Sequence, residues 1–235
     1  MAETQPLRVL VLGATGLTGG KVVNGLLERS EVAEVVAPVR RPTGVDHPKL
    51  TQPVVDFDDL AAHSELFDVN VIVCCLGTTI KKAGSQEQFR KVDFGYSLKA
   101  AGLGRSAGAR AFILMSAVGA SANSKIFYNR VKGELEDAVR ELGYPYLSIY
   151  HPGLLLGQRQ EHRTAEALGI KVMPLVNRAL LGPLVQYRGI EAATVARAMV
   201  NEVCGLATTA DPVVGRQVWT YPEICRLAGD EPGLI

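Results

Sequence analysis

An excess of charge of either sign is missing from this chain. Its 25 Lys and Arg residues face 24 Asp and Glu, a formal net charge of +1 over 235 residues. Without a basic field there is no general pull toward nucleic acid or anionic lipid, and no basic stripe marks a nucleic-acid face. Long apolar runs are missing too. No segment approaches the roughly 20 apolar residues that cross a bilayer. The short polar start, Met1-Ala2-Glu3-Thr4-Gln5-Pro6, lacks the basic beginning and apolar stretch of a signal peptide. The four cysteines, Cys74, Cys75, Cys204 and Cys225, show no CxxC spacing, which argues against a disulfide framework and against zinc. Cys74 and Cys75 lie in an apolar run and read as buried thiols on opposite faces of one strand. No metal site is expected, and the expected compartment is the reducing cytoplasm.

What is present is an alternation. Short β-branched runs at residues 7–12 (LRVLVL), 34–39, 50–55, 71–76 (VIVCCL), 111–115 and 146–150 read as six strands. Between them lie helical patterns: Val22, Val23, Leu26 and Leu27 after the first strand, a long stretch over 85–106, and a helix capped by Asn123 or Ser124 that runs to about Leu142. Runs apolar on both faces and separated by helices indicate a parallel sheet covered on both sides. The fold class expected is therefore α/β, a Rossmann-type doubly wound parallel sheet, with ligands beyond the carboxyl ends of the strands. After Pro152 the pattern loosens into a polar stretch at 157–163 and an apolar, partly helical one at 164–184. A helix over 191–203, a strand over 216–220 and a last helix over 222–227 follow. With no repeat and no linker, residues 1–235 are expected to form one domain, with substrate-side segments at about 153–188 and 205–235.

The loop Gly13-Ala14-Thr15-Gly16-Leu17-Thr18-Gly19 falls where the first strand ends and a helix begins. The first glycine permits a tight turn, the second lets backbone approach a pyrophosphate, and the third lets the helix pack on the sheet. The helix N-terminus then offers free N–H groups and a positive dipole end to the anion. Thr15, Gly16, Leu17 and Thr18 are the candidate phosphate contacts. At the end of the second strand, where an NAD site carries an acid, this chain reads Val39-Arg40-Arg41-Pro42. Two guanidiniums suit a 2′-phosphate, so NADP is the expected cofactor; the competing reading is that both are simply solvated. Asp56 and Phe57 after the third strand could offer an acceptor and a flat wall to the adenine. Leu76-Gly77-Thr78-Thr79 after the fourth brings a glycine near the cofactor. Either segment also reads as an ordinary loop.

Ser116 closes the fifth strand, and Tyr128 and Lys132 form a YxxxK pair on the next helix. The i, i+4 spacing puts both side chains on one face, and a stripe of Ile126, Phe127, Val131, Leu135 and Val139 would seat the helix on the core. This set fits hydride chemistry at a carbonyl. The Lys132 ammonium would favour the Tyr128 phenolate and ease proton exchange near neutrality, while also touching the nicotinamide ribose. Ser116 can hydrogen-bond the same carbonyl oxygen.

The combination GATGLTGG, VRRP, CLGTT, YxxVKGELE and PGLLLGxRQE resembles the atypical short-chain dehydrogenase/reductase superfamily. Within it the chain is most similar to the NADPH-binding Tat-interactive-protein/oxidoreductase group. The likeness runs from about Leu7 to Gln160 and more loosely to Val203. It implies a Rossmann fold, NADPH at the glycine loop, Ser116, Tyr128 and Lys132 as catalytic triad, Arg40 on the 2′-phosphate and Leu155 near the nicotinamide. Two positions depart from the pattern. His151 stands where relatives usually have arginine and reads as a packing or surface histidine. Asp93 stands near where many extended relatives place an active-site asparagine.

The function expected is NADPH-dependent reduction of a small or medium carbonyl compound, with tyrosine as proton donor. The alternative is a non-catalytic NADPH-binding regulator whose partner affinity follows cofactor occupancy. The residues 153–184 are expected to form a mobile lid over the nicotinamide, and the long helices after the fourth and fifth strands are candidate surfaces for a homodimer.

Overall fold

A computed structural model of the chain describes residues 6–157, 180–208 and 214–230. The lid expected over 153–184 lies largely outside these residues.

The first strand, β1 (Leu7–Leu12), shows how the sheet is made. Leu7, Val9 and Val11 point into one apolar layer while Leu10 and Leu12 point into the other, as the two-residue period of a strand requires. The same division holds for β4 (Val71–Cys74), β5 (Ala111–Met115) and β6 (Tyr146–Tyr150). Cys75 and Cys74 fall into opposite layers, as their adjacency implies. With β2 (Val32–Val36), β3 (Leu50–Thr51) and a last strand, β9 (Gly215–Trp219), these form a seven-stranded sheet ordered β3-β2-β1-β4-β5-β6-β9. Every pairing in it is parallel. A separate parallel pair joins β7 (Leu155–Leu156) to β8 (Ile190–Glu191).

Helices α1 (Gly19–Leu27), α6 (Ala192–Thr208) and α7 (Tyr221–Ala228) contribute to one apolar layer. A 3-10 segment (Phe57–Phe67), α4 (Ser97–Ser106) and α5 (Phe127–Glu141) contribute to the other. This is the doubly wound Rossmann arrangement, and the order in which strands are added reverses between β1 and β4. The crevice at that switch point is where such sheets bind ligands. None of the described helices is long and apolar enough to cross a membrane. Among the described residues no cluster of His, Cys, Asp or Glu could hold a metal ion.

Several boundaries differ from the sequence reading, each for a local reason. The third strand expected over 50–55 pairs only at Leu50 and Thr51, and beyond them a single bridge joins Val39 to Val54. The helix expected over 85–106 is three pieces: α3 (Gln86–Arg90), a π-helical turn (Lys91–Tyr96) and α4. A short helix, α2 (Ile80–Ala83), precedes them and is capped by the Thr79 side chain, which accepts from Lys82 N–H at 3.2 Å. Neither Asn123 nor Ser124 caps α5. Its N-cap is Ile126, and the Ser124 hydroxyl instead accepts from Ile126 N–H at 3.1 Å in the preceding turn. Ile126 is exposed rather than part of the apolar stripe, which is carried by buried Val131, Leu135 and Val139. Phe127 sets its ring 5.7 Å from that of Phe89.

One buried carboxylate ties the far edge of the sheet to α6. Glu202 accepts from the hydroxyls of Tyr146 at 2.6 Å and Tyr150 at 2.7 Å, and from Trp219 Nε1 at 3.0 Å. Burial, with the facing carboxylate adding to it, pushes both tyrosine hydroxyls well above their ordinary value, so they remain donors.

Candidate active site

The glycine turn after β1 has no room for side chains. Gly13 sits at φ +79°, and a Cβ there would stand 2.6 Å from Cys75 O. A Cβ on Gly19 would stand 2.2 Å from Gly13 O, so the turn and the first residue of α1 touch backbone to backbone. Thr18, the N-cap of α1, makes no capping bond; its hydroxyl is buried and has no partner among the described residues. Thr15 and Gly16 are exposed beside it. An uncapped helix start, a glycine floor and an orphaned hydroxyl fit the phosphates of a dinucleotide. Leu17 packs toward the returning chain, where a Cβ on Gly157 would meet it at 3.3 Å.

The next two segments leave the sheet together. Val55 N–H donates to Val39 O at 2.9 Å, so Arg40 and Asp56 emerge side by side. Arg40 and Arg41 are both exposed. One Asp56 oxygen accepts from Asp58 N–H at 2.9 Å and caps the 3-10 segment. Phe57 is buried with its ring 5.7 Å from that of Tyr96, so most of its surface goes into the core rather than standing open as a wall.

At the carboxyl end of β4 the chain meets α5. Lys132 is buried, and its Nζ lies 2.8 Å from Asp93 Oδ1. The other Asp93 oxygen accepts from Thr78 N–H at 2.8 Å. Burial pushes the Lys132 ammonium down, but the charge and hydrogen bond of Asp93 and the nearby Tyr128 hold it above its ordinary value. Gly77 closes the group: a Cβ there would come within 3.5 Å of Asp93 Oδ1 and 3.8 Å of Lys132 Nζ. Leu76 packs partly buried against the layer of α4 and α5. The π-helical turn explains why Asp93 reaches this point. One widened turn re-aims its side chain inward, a use of such turns that recurs at functional sites. Tyr128, one turn before Lys132, is partly buried with its ring 5.6 Å from Phe89.

Ser116, the first residue after β5, takes a different partner. Its hydroxyl donates to Glu136 Oε1, and the same oxygen lies 2.8 Å from His151 Nε2. Arg140 Nη2 stands 3.0 Å from Glu136 Oε2. Burial pushes the Glu136 carboxyl up. The hydrogen bonds and charges of His151, Ser116 and Arg140 outweigh it, and the carboxyl sits below its ordinary value. His151 is therefore held by a buried acid through its ring nitrogen, rather than being a packing or surface histidine. Leu155 lies in β7, paired with Ile190, and packs partly buried onto the layer of α1 and α6.

The structure thus joins Gly77, Thr78 and Lys132 into one group and leaves Arg40, Arg41 and Asp56 together at the neighbouring strand end. It adds two residues that the pattern reading had not assigned to the site. Asp93 had been noted only for its position, and Glu136 not at all, although it falls four residues after Lys132 on the same helical face.

A parallel sheet with a glycine turn at its first crossover and a buried lysine facing the fourth strand's end defines a dinucleotide-binding Rossmann protein. The model of the NAD(P)H-binding family matches residues 13–202, and the chain belongs to that family. It is 36% identical to protein HTATIP2 of Rattus norvegicus over 205 residues, 86% of this chain and 83% of that protein. It is 32% identical over 230 residues to the mitochondrial protein fmp52 of Aspergillus clavatus, covering 94% of this chain and 98% of that one. Among solved structures, the Bordetella bronchiseptica enzyme WbmH in complex with NAD+ superposes with a TM-score of 0.67 at 17% identity, over 92% of this chain and 76% of that one. The UDP-glucose 4-epimerase of Thermotoga maritima gives 0.64 at 17% identity, over 97% and 94%. At such identities these structures speak for the fold alone.

Proposed function

We propose that the protein is an NADPH-dependent reductase of a small or medium carbonyl compound. The observation that carries this reading is the Lys132 ammonium, buried against Gly77 at the cofactor edge and one helical turn from Tyr128. Thr15, Gly16, Leu17 and Thr18 would hold the pyrophosphate, and Arg40 with Arg41 the 2′-phosphate, which selects NADP over NAD. Asp56 would border the adenine; Leu76, Gly77, Thr78 and Leu155 would flank the nicotinamide end. When bound, the nicotinamide would supply the hydride for the carbonyl carbon. Tyr128 gives its hydroxyl proton to the carbonyl oxygen as that hydride arrives. Lys132, fixed by Asp93, orients Tyr128 and the nicotinamide ribose. Residues 153–188 and 205–235 are assigned to the substrate side. The cytoplasm is the proposed compartment; cell fractionation tests it against the mitochondrial naming of the fungal relatives.

The test is NADPH absorbance against a broad carbonyl panel, with Tyr128→Phe as control. Turnover should vanish in the variant while NADPH affinity changes less than about twofold, since only the proton donor is lost. Retained turnover in Tyr128→Phe would show that the proton comes from elsewhere. One feature favours a second reading, a cofactor-dependent regulator: the Asp93 carboxylate neutralises Lys132 inside the site. A wild-type protein that binds NADPH and reduces no carbonyl in the panel would favour it.

A further inference from the structure

The polar face of α5 continues past Lys132. Tyr128, Lys132, Glu136 and Arg140 follow at four-residue steps, so their side chains form one line along the helix. Glu136 is where that line meets the end of β5 and the residue after β6. It is buried, and every contact around it is a group able to donate: Ser116 Oγ and His151 Nε2 at Oε1, Arg140 Nη2 at Oε2. Arg140 divides itself, with Nη1 2.8 Å from Asp137 Oδ1 on the exposed side.

An ionised carboxylate can only accept hydrogen bonds. Both neighbours of Oε1 must then donate. His151 presents Nε2–H, and Ser116 spends its only hydroxyl proton on Glu136. What Ser116 Oγ has left for a further partner is lone pairs. A serine in that state cannot donate to a carbonyl oxygen, but it can receive a hydroxyl proton from a reactant.

We propose that Glu136 is a positioning residue that fixes Ser116 as a hydrogen-bond acceptor, so that the site is matched to carbonyl compounds bearing a hydroxyl on the neighbouring carbon. The substrate class rests on the reductase reading above; the direction of the Ser116 hydrogen bond does not. In this arrangement Tyr128 is the side-chain donor to the carbonyl oxygen, and Ser116 accepts from the adjacent hydroxyl. A ketone lacking that hydroxyl leaves the Ser116 lone pairs unmatched, and loss of such a buried pairing is a strong source of discrimination.

Two measurements separate the parts. Neutron diffraction from crystals of the NADPH complex locates the deuteron on Ser116. It should point at Glu136 Oε1; a deuteron turned away from Glu136 overturns the positioning role, whatever the turnover. The second compares kcat/KM for hydroxyacetone and acetone, and for 3-hydroxy-2-butanone and 2-butanone, in NADPH-driven reduction. The wild-type protein should prefer the hydroxyketone by about tenfold or more, one buried hydrogen bond's worth. The ratio should fall toward one in Ser116→Ala and in Glu136→Gln, and the double variant should lose nothing further, because Glu136 acts through Ser116. Thermal unfolding is followed in parallel, since a merely structural role of Glu136 would lower stability and leave the ratio unmoved. Should Glu136→Gln fail to fold, Ser116→Ala and the neutron result still decide. Equal ratios in wild type and Ser116→Ala overturn the substrate class. No reduction of any carbonyl by the wild type removes the reductase reading and the substrate class with it, while the deuteron position still settles the role of Glu136.

Discussion

Lys132 Nζ and Asp93 Oδ1 stand 2.8 Å apart with 4% and 1% of their side chains exposed, so the ammonium of the YxxxK pair enters the site already matched to a carboxylate. The pair also reaches the loop after β4, because Asp93 holds Thr78 N–H with its second oxygen. Any ligand that moves that loop moves the lysine's partner. An unmatched ammonium would act on Tyr128 at full strength, whereas a paired one mainly fixes geometry.

Asp93→Asn should therefore remove what holds the Lys132 ammonium above its ordinary value and let burial pull it down. The alkaline limb of the pH profile for reduction should move to lower pH, because Lys132 then gives up its proton earlier and its charge no longer orients its neighbours. Asp93→Ala should in addition cost about 3–5 kcal/mol of stability, the usual penalty for breaking a buried ion pair. Denaturant melts and the pH dependence of kcat check the two effects. An unchanged alkaline limb in Asp93→Asn would mean that the pairing does not hold the charge of Lys132.

Cofactor choice is assigned to the exposed pair Arg40 and Arg41 at the end of β2. NADPH should bind at least about tenfold more tightly than NADH, since each charge-assisted bond to phosphate contributes roughly 1.5–3 kcal/mol. Arg40→Ala should remove most of that preference and barely change NADH affinity. Fluorescence titration with both cofactors measures it, and equal curves for the unmodified protein would sink the assignment.

Acid stability should carry the mark of Glu136. Its folded carboxyl lies below the ordinary value of 4.5, so its contribution is full above that value and is lost as pH falls through the lowered folded one. Glu136→Gln should be less stable than wild type near neutrality, and the gap should close as pH drops below about 4.5. Urea melts at a series of pH values test this, and a gap that widens toward acid would contradict it.

The buried Glu202 makes a prediction remote from chemistry. Glu202→Ala strands the hydroxyls of Tyr146 and Tyr150 and the indole N–H of Trp219, and should destabilise the fold by about 2–4 kcal/mol. Tyr150→Phe leaves Glu202 two of its donors and should cost less. Thermal melts ranking the two variants in the opposite order would show that Glu202 is not the anchor of this edge.

Local pattern carried much of the architecture. β1, β5 and β6 lie where apolar runs placed them, because strands covered on both faces leave an unbroken apolar signature. The glycine turn was equally legible, since Gly13 and Gly19 answer steric demands that no other residue meets. Strand ends were less so. Residues 50–55 look β-branched, yet the sheet edge pairs only two of them, and pairing depends on a neighbour remote in sequence. The start of α5 was misplaced because Ser124 bonds its own turn instead of the helix, a competition between two local hydrogen bonds that composition does not rank.

For the site the division is sharper. The sequence by itself determined the dinucleotide-binding fold class, the glycine loop, the two arginines after β2 and the spacing of Tyr128 and Lys132, all of which are contiguous patterns with a local physical reason. Tertiary structure alone decided the partners. Asp93 reaches Lys132 only because one turn of helix widens, and Glu136 meets Ser116 and His151 only because α5 packs across the ends of β5 and β6. Those contacts join residues 15 to 39 positions apart. Charge pairing at that range follows from how the layers stack, which no window of sequence contains.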